Sequence, residues 1–318
     1  MKKNKRPVIV ITGPTGSGKT ALSHKLGQSL PIEIINADIG SFYQPMTIGT
    51  AKPDWRNEVV PHHMFDILNE PGSFDVAQYR TRCFELIQEI EARGNYPVIV
   101  GGSMFYIHSL FFPPRDSASQ SCKQKIKGSW EQLKQLDPER AATIEPSDPY
   151  RIQRAIEIYQ KTGQKPSTLQ PKFCLPDREF HIIFVERDRE ELLERINKRT
   201  QIMVQEGWVE EVRALLGTPW QIFIERKKLI GYNEIVKFLS DDACHDIVAH
   251  DALVEAIQKR TRAYAKRQWT FWRRMRKMIT REQENLGSKT IQLHELNLTL
   301  SDLDLYISSL KQSLLHEG

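Results

Sequence analysis

Eight consecutive residues, Gly13-Pro14-Thr15-Gly16-Ser17-Gly18-Lys19-Thr20, satisfy the pattern GxxxxGK[ST] without exception. Few short motifs constrain a fold so tightly. The glycines let successive backbone N–H groups converge on phosphate oxygens, Lys19 adds a point charge, and the Thr20 hydroxyl can ligate Mg²⁺. Such a loop needs a strand before it and a helix after it. Pro7-Val-Ile-Val-Ile-Thr12 is a short apolar, β-branched run that reads as a buried parallel strand, and Ala21 to Leu30 reads as a helix stopped by Pro31.

The alternation continues. Ile32 to Ala37 reads as a second strand with Asp38 at its carboxyl end, and Met64 to Leu68, Tyr96 to Val100 and His181 to Val185 as further strands. Val76 to Arg93 reads as a helix with Gly94 at its C-terminal cap. Strands alternating with helices predict an α/β fold, a P-loop NTPase-like doubly wound parallel sheet. The pattern breaks after Pro113-Pro114, where a polar, helix-prone stretch rich in Lys, Gln and Glu runs to about Arg178. The expected organisation is therefore a P-loop core from 1 to 115, a helical insertion domain from 116 to 180, and the rest of the core from 181 to 318. Two long helices are expected at about Arg189 to Leu216 and Asp251 to Met278. Gln292 to Leu296 reads as an edge strand, and Ser301 to Leu315 as a closing helix.

Composition narrows the setting. Four dispersed cysteines without a CxxC pair argue against a zinc site or a disulfide framework and fit a reducing, cytoplasmic location. The apolar stretch behind the basic start is too short for a signal peptide, no run approaches a membrane span, and no membrane partner is expected. Net charge is only +5, but Lys259 to Met278 holds nine Lys or Arg and no Asp or Glu. Placed on a helix, the nine cations share one arc, with Tyr264, Phe271, Trp272 and Met275 opposite and Trp269 at the border. A ridge of that kind suits a phosphate backbone, preferably RNA.

A P-loop alone does not say which phosphate it holds. Its default reading is ATP, in a small-molecule or nucleotide kinase. The strand at Tyr96 to Val100, however, runs into Gly101-Gly102-Ser103-Met104 instead of a metal-binding Asp. Asp38 is then the best-placed carboxylate, beside the P-loop at the carboxyl edge of the sheet. A plain helix N-cap is its bland alternative, as a turn-stabilising role is for Ser103.

Several further motifs resemble those of the tRNA dimethylallyltransferases: Asn36-Ala-Asp38, Ile48-Gly-Thr-Ala-Lys-Pro53, His62-His63, Val100-Gly-Gly-Ser-Met-Phe-Tyr106, Asp148-Pro-Tyr-Arg-Ile-Gln-Arg-Ala-Ile-Glu157, Ile230-Gly-Tyr232 and Ala265-Lys-Arg-Gln268. They run in the family's order from the P-loop to about Met278. The resemblance implies transfer of a dimethylallyl group from dimethylallyl diphosphate to N6 of the adenine just 3′ of the anticodon. The P-loop and Lys19 would receive the diphosphate leaving group with Mg²⁺ on Thr20. Asp38 would be the general base, and Ser103 would bind the diphosphate or steer the amine. The tRNA side would comprise Asp38, Ile39, Gly40, Ser41 and Ser103, with Lys123, with Tyr150, Arg151, Ile152, Gln153 and Arg154, and with Lys228, Leu229, Ile230, Gly231, Tyr232 and Asn233. Arg262 and the Lys266, Arg267 and Gln268 block would lie on the phosphates. The target base must flip out of its stack to reach the P-loop, and the insertion would grip the far side of the anticodon stem-loop. A monomer is expected.

This chain departs from the family's pattern at several positions. Ile39 stands where Ser is usual, Ser103 where Thr is usual, and Pro45 and Thr47 where Gly and Asp are common. Tyr150 replaces a Gln, Lys228 an Arg, and Lys123 is the match for another Arg. Arg to Lys gives up the planar bidentate fork. The diphosphate machinery is thus intact while the RNA side diverges, which keeps a catalytically weakened tRNA-binding relative as an alternative; prenylation of free adenine nucleotides is another, against which the basic ridge and the insertion argue.

Overall fold

Alternate residues of the first strand, β1 (Val8–Thr12), feed two separate cores: Val8 and Val10 one, Ile9 and Ile11 the other. A strand buried on both faces belongs at the centre of a sheet covered by helices on either side. The computed structural model, which describes residues 5–114, 128–169, 171–240 and 247–316, shows that arrangement. Lys123 lies outside the described residues.

Among the described residues the strands are β1, β2 (Ile32–Asn36), β3 (His62–His63), β4 (Tyr96–Val100), β5 (Phe180–Glu186) and β6 (Ile291–Asn297). Every pairing is parallel, in the order β3-β2-β4-β1-β5-β6. On one face pack α1 (Lys19–Gly27), through Leu22 and Leu26, and the last helix, which supplies Ile307, Leu310 and Leu314. The other face is covered by α2 (Val76–Ala92) and α3 (Met104–Phe111), joined by Trp272, Met275 and Ile279 of a helix near the end of the chain. The chain leaves β1 for β2 on one side, yet β1 also pairs with β5 on the other. The crevice beyond the carboxyl end of β1 is therefore the topological switch point where ligands bind in such sheets.

Three short helices, α4 (Trp130–Leu136), α5 (Pro138–Ala141) and α6 (Pro149–Thr162), share a small core of Leu133, Ala141, Ile144, Ile152, Ala155 and Ile156. Asp137 and Asp148 cap the second and third of these, each with proline in the first turn, which is why those Asp-Pro pairs start helices. After β5 come α7 (Arg189–Gln205), α8 (Trp208–Arg213), α9 (Pro219–Lys227) and α10 (Tyr232–Ser240). The chain ends in α11 (Ile247–Leu286), β6 and α12 (Leu303–His316). Helices α8 to α10 and the start of α11 enclose another core around Trp208, Trp220, Phe223 and Tyr232.

Two expected elements are corrected. The run Met64 to Leu68 is not a strand, because Met64 and Asp66 adopt left-handed backbone angles (φ 64° and 52°). The Asp66 carboxylate is drawn in to Lys52, Trp55 and Arg56, and only Leu68 makes an isolated bridge, to Tyr43. The single helix expected over Arg189 to Leu216 is broken by Gly207 (φ 100°) into α7 and α8.

Candidate active site

Strand β1 delivers the chain into the P-loop at Gly13, whose φ of 146° and contact with β5 leave no room for a side chain: a Cβ would lie 2.1 Å from the Val185 carbonyl oxygen. Gly16 and Gly18 also have positive φ. Lys19 folds back so that its Nζ donates to the carbonyls of Gly13 (3.0 Å) and Pro14 (2.9 Å). Burial lowers its pKa from 10.5 to about 8, an effect that nearby Asp38 opposes and Arg199 reinforces. Thr20 is exposed at the start of α1 on the wall of the same cleft.

Arginines from the end of β5 and from α7 brace this loop. Arg187 Nε donates to the Ser17 carbonyl (3.0 Å), Arg195 Nε to the Gly16 carbonyl (2.9 Å), and Arg199 Nη1 approaches Thr15 Oγ1 (3.4 Å). None of the three is among the site residues expected from the sequence. The available signal was Arg195 and Arg199, spaced one turn apart on the helix that follows the strand beside β1.

Asp38 ends β2 by capping the 3₁₀ helix Ile39–Phe42, accepting the Gly40 N–H at 3.3 Å. Asn36 pins this corner: its Oδ1 accepts the Asp38 N–H (2.8 Å), and its Nδ2 donates to the carbonyls of Asp38 and Met64. Asp38 is thus an N-cap and a cleft residue at once. Ser103 Oγ accepts the Ile39 N–H (3.0 Å), tying the Gly-Gly-Ser turn to the Asp38 corner. That turn needs glycine: a Cβ on Gly101 would lie 2.1 Å from the Ala37 carbonyl carbon, and one on Gly102 would lie 2.4 Å from Gln268 Nε2.

Two cavities meet here. The larger, 620 Å³, runs over the P-loop from Lys19 and Thr20 past Ser41 to His62 and Phe65. The second, 360 Å³, is walled by Ile39, Gly40, Trp208, Lys228, Tyr264 and Arg267, with Leu229, Ile230 and Tyr232 also lining it. Thr15, Asp38, Thr50 and Arg199 line both. The Ile48-Gly-Thr-Ala-Lys-Pro53 loop is fixed by one carboxylate. Glu211 Oε2 accepts the N–H groups of Thr47 (2.8 Å) and Ile48 (2.7 Å), and Oε1 accepts those of Gly49 (3.2 Å) and the Tyr232 hydroxyl (2.6 Å). Gly49 and Gly231 each lie against the Trp208 indole, at 2.0 and 1.9 Å from where a Cβ would sit.

The other expected RNA-side residues divide by burial. Tyr150 is 78% exposed, and Arg151 and Arg154 are solvent-accessible beside Asp148 and Glu157. Ile152 packs into the small helical core, and Gln153 bonds to Gly128 and Glu157. Asn233 is buried, its N–H donating to the Leu229 carbonyl. Lys228 adopts φ 51°, and its carbonyl accepts from Arg260, which also pairs with Glu234. On α11, Lys266 and Arg267 are exposed and Arg262 donates to Asn197 Oδ1 (2.7 Å). Trp272 and Met275 are buried as the helical phase requires, but Tyr264 turns to the second cavity. Gln268, expected on RNA phosphates, is 3% exposed and holds the P-loop instead: its Oε1 accepts the Thr15 N–H (2.9 Å), and its Nε2 donates to the Gly102 carbonyl (2.8 Å).

Among the described residues no helix is long and apolar enough to cross a membrane, and no group of three or more His, Cys, Asp or Glu could hold a metal ion. A divalent ion bound together with a phosphate needs few protein ligands, and Thr20, exposed on the wall of the cleft, is a residue that could supply one.

The sequence model described as IPP transferase matches residues 41–275. The chain is 35% identical to tRNA dimethylallyltransferase 1 of Citrifermentans bemidjiense over 281 residues, covering 85% of this chain and 90% of that protein. It is 37% identical to the tRNA dimethylallyltransferase of Protochlamydia amoebophila, covering 86% and 83%. Among solved structures, the tRNA delta(2)-isopentenylpyrophosphate transferase of Staphylococcus epidermidis superposes with a TM-score of 0.65 at 30% identity, covering 99% of this chain and 100% of that one. A eukaryotic dimethylallyltransferase acting on tRNA gives a TM-score of 0.72 at 27% identity, covering 97% and 77%.

Proposed function

The chain belongs to the IPP transferase family, the tRNA dimethylallyltransferases, and from that premise we propose that it transfers a dimethylallyl group to N6 of the adenine 3′ of the anticodon. One observation carries the reading: Asp38 lies on the wall shared by the P-loop cavity and the second, aromatic-lined cavity. A donor diphosphate on one side and a flipped base on the other would both reach it.

The diphosphate sits on the P-loop, with Lys19 and Arg199 facing its oxygens. As the allylic C–O bond breaks, its electron pair stays on the diphosphate, where these cations stabilise the growing charge. The flipped adenine enters between Trp208 and Tyr264, the exocyclic nitrogen forms the new C–N bond, and Asp38 takes the proton released. Ser103 acts through Ile39, holding the corner that aims Asp38. Thr20 would hold Mg²⁺ beside the diphosphate, and the ion would supply further charge neutralisation. The exposed cations of α11 and the accessible arginines of α6 receive the anticodon stem, with residues 116–180 as the insertion that grips it. Action as a monomer in a reducing, cytoplasmic setting goes with this reading.

The experiment is incubation of the protein with labelled dimethylallyl diphosphate and total tRNA, followed by nucleoside analysis. Label in N6-dimethylallyladenosine, dependent on tRNA, is the expected result. ATP consumption with a small acceptor and no RNA would point to a kinase instead. Tight tRNA binding without label would point to a binding protein.

A further inference from the structure

Gln268 stands apart from its neighbours on α11. Lys266 is exposed and Arg267, also exposed, borders the second cavity, whereas Gln268 is 3% exposed and reaches both halves of the site. Its carbonyl oxygen accepts from Thr15 in the P-loop, and its amide nitrogen donates to Gly102 in the turn that carries Ser103. Those two segments belong to the ends of different strands, β1 and β4. The donor side hangs from the first, through Lys19. From the second, through Ser103 Oγ and the Ile39 N–H, hangs the Asp38 corner. A primary amide accepts through its oxygen and donates through its nitrogen in one plane, which neither a carboxylate nor an alkyl chain of the same length does. The glycine at 102 fits the same device, because a Cβ there would lie 2.4 Å from Gln268 Nε2 and 3.6 Å from Asp38 Oδ2.

We infer that Gln268 is a positioning residue: its amide clamps the P-loop to the Gly101-Gly102-Ser103 turn and so sets the spacing between the diphosphate cradle and Asp38. This inference rests on the prenyl-transfer reading only for what the spacing serves. The clamp itself is a property of the free protein. Because α11 also carries the exposed cations, one helix both presents the RNA-facing charge and keeps the two chemical half-sites in register.

The test compares Gln268→Met, which keeps the length and removes both bonds, with Gly102→Ala, which displaces the amide from the other side. In steady-state transfer, both variants lower kcat by roughly 10- to 100-fold, the scale expected for about 1 Å of misplacement, while KM for tRNA stays within about twofold. In the free variants, hydrogen exchange of the Thr15 amide speeds up relative to wild type while exchange in β1 and β4 is unchanged. Unchanged kcat with a raised KM for tRNA would assign Gln268 to RNA binding and overturn the clamp, as would unaltered Thr15 exchange in Gln268→Met. Absence of prenyl transfer by the wild-type protein would instead remove the functional reading, and the exchange measurement would still decide the clamp.

Discussion

The P-loop cradle and the second cavity face each other across Asp38, and they are built in opposite ways. The cradle is eight consecutive residues, made of backbone N–H groups and glycine torsions, with one lysine folded over them. The cavity is assembled from residues far apart in the chain, from Thr15 to Arg267, with Trp208 wedged between two distant glycines. A site made of backbone is written in local sequence and tolerates no glycine replacement. A site made of remote side chains exists only through the fold, and single contacts within it can be traded.

If that contrast is right, damage should be sharpest at the seam and on the cradle and should soften towards the RNA surface. Asp38→Asn keeps the cap geometry but removes the base, and transfer should fall by roughly a thousandfold with both substrates still binding. Normal turnover in that variant would remove Asp38 from the chemistry. Lys19→Met should cost about a hundredfold in kcat/KM for the donor. The same lysine predicts a pH effect whose sign follows from its lowered pKa of about 8. Below that pH the ammonium is charged and attracts the diphosphate. As pH rises through it the charge is lost, so the donor KM should climb in the wild type and stay flat in Lys19→Met.

On the acceptor side, Gly49→Ala drives a methyl group into the Trp208 indole. Overpacking of this kind costs about 1–3 kcal/mol, and it should appear as a raised KM for tRNA of roughly tenfold with the donor KM unchanged. An equal rise in both would erase the distinction between the two regions. Smallest of all, Lys266→Ala with Arg267→Ala should weaken tRNA binding by a few-fold at moderate salt and reduce the slope of log affinity against log salt by about 2.

The same contrast explains what could be read from the sequence. Strands β1 and β4 were legible as short apolar, β-branched runs that end at glycine, whereas the two-residue β3 was not; Lys19 was legible from the P-loop pattern and Asp38 from its place at the carboxyl end of a strand. The brace of Arg187, Arg195 and Arg199 was hidden, since it depends on β5 lying beside β1. Gln268 looked like part of a cationic block, and only the phase of a forty-residue helix turns it inward. Glu211 and Gly49 gave no local sign of their partnership because 162 positions separate them. Met64 to Leu68 misled for a different reason: the demands of the buried Lys52–Asp66 pair outweighed an extended propensity.

The central claim is that two cavities meeting at Asp38 hold a diphosphate and a tRNA loop at the same time. Titration of a fluorescent anticodon stem-loop into the protein, with and without saturating inorganic pyrophosphate and Mg²⁺, measures this directly. Joint binding is expected, with the stem-loop affinity changed by no more than a few-fold. Mutual exclusion, with pyrophosphate displacing the stem-loop competitively, would show a single shared phosphate site and contradict the claim.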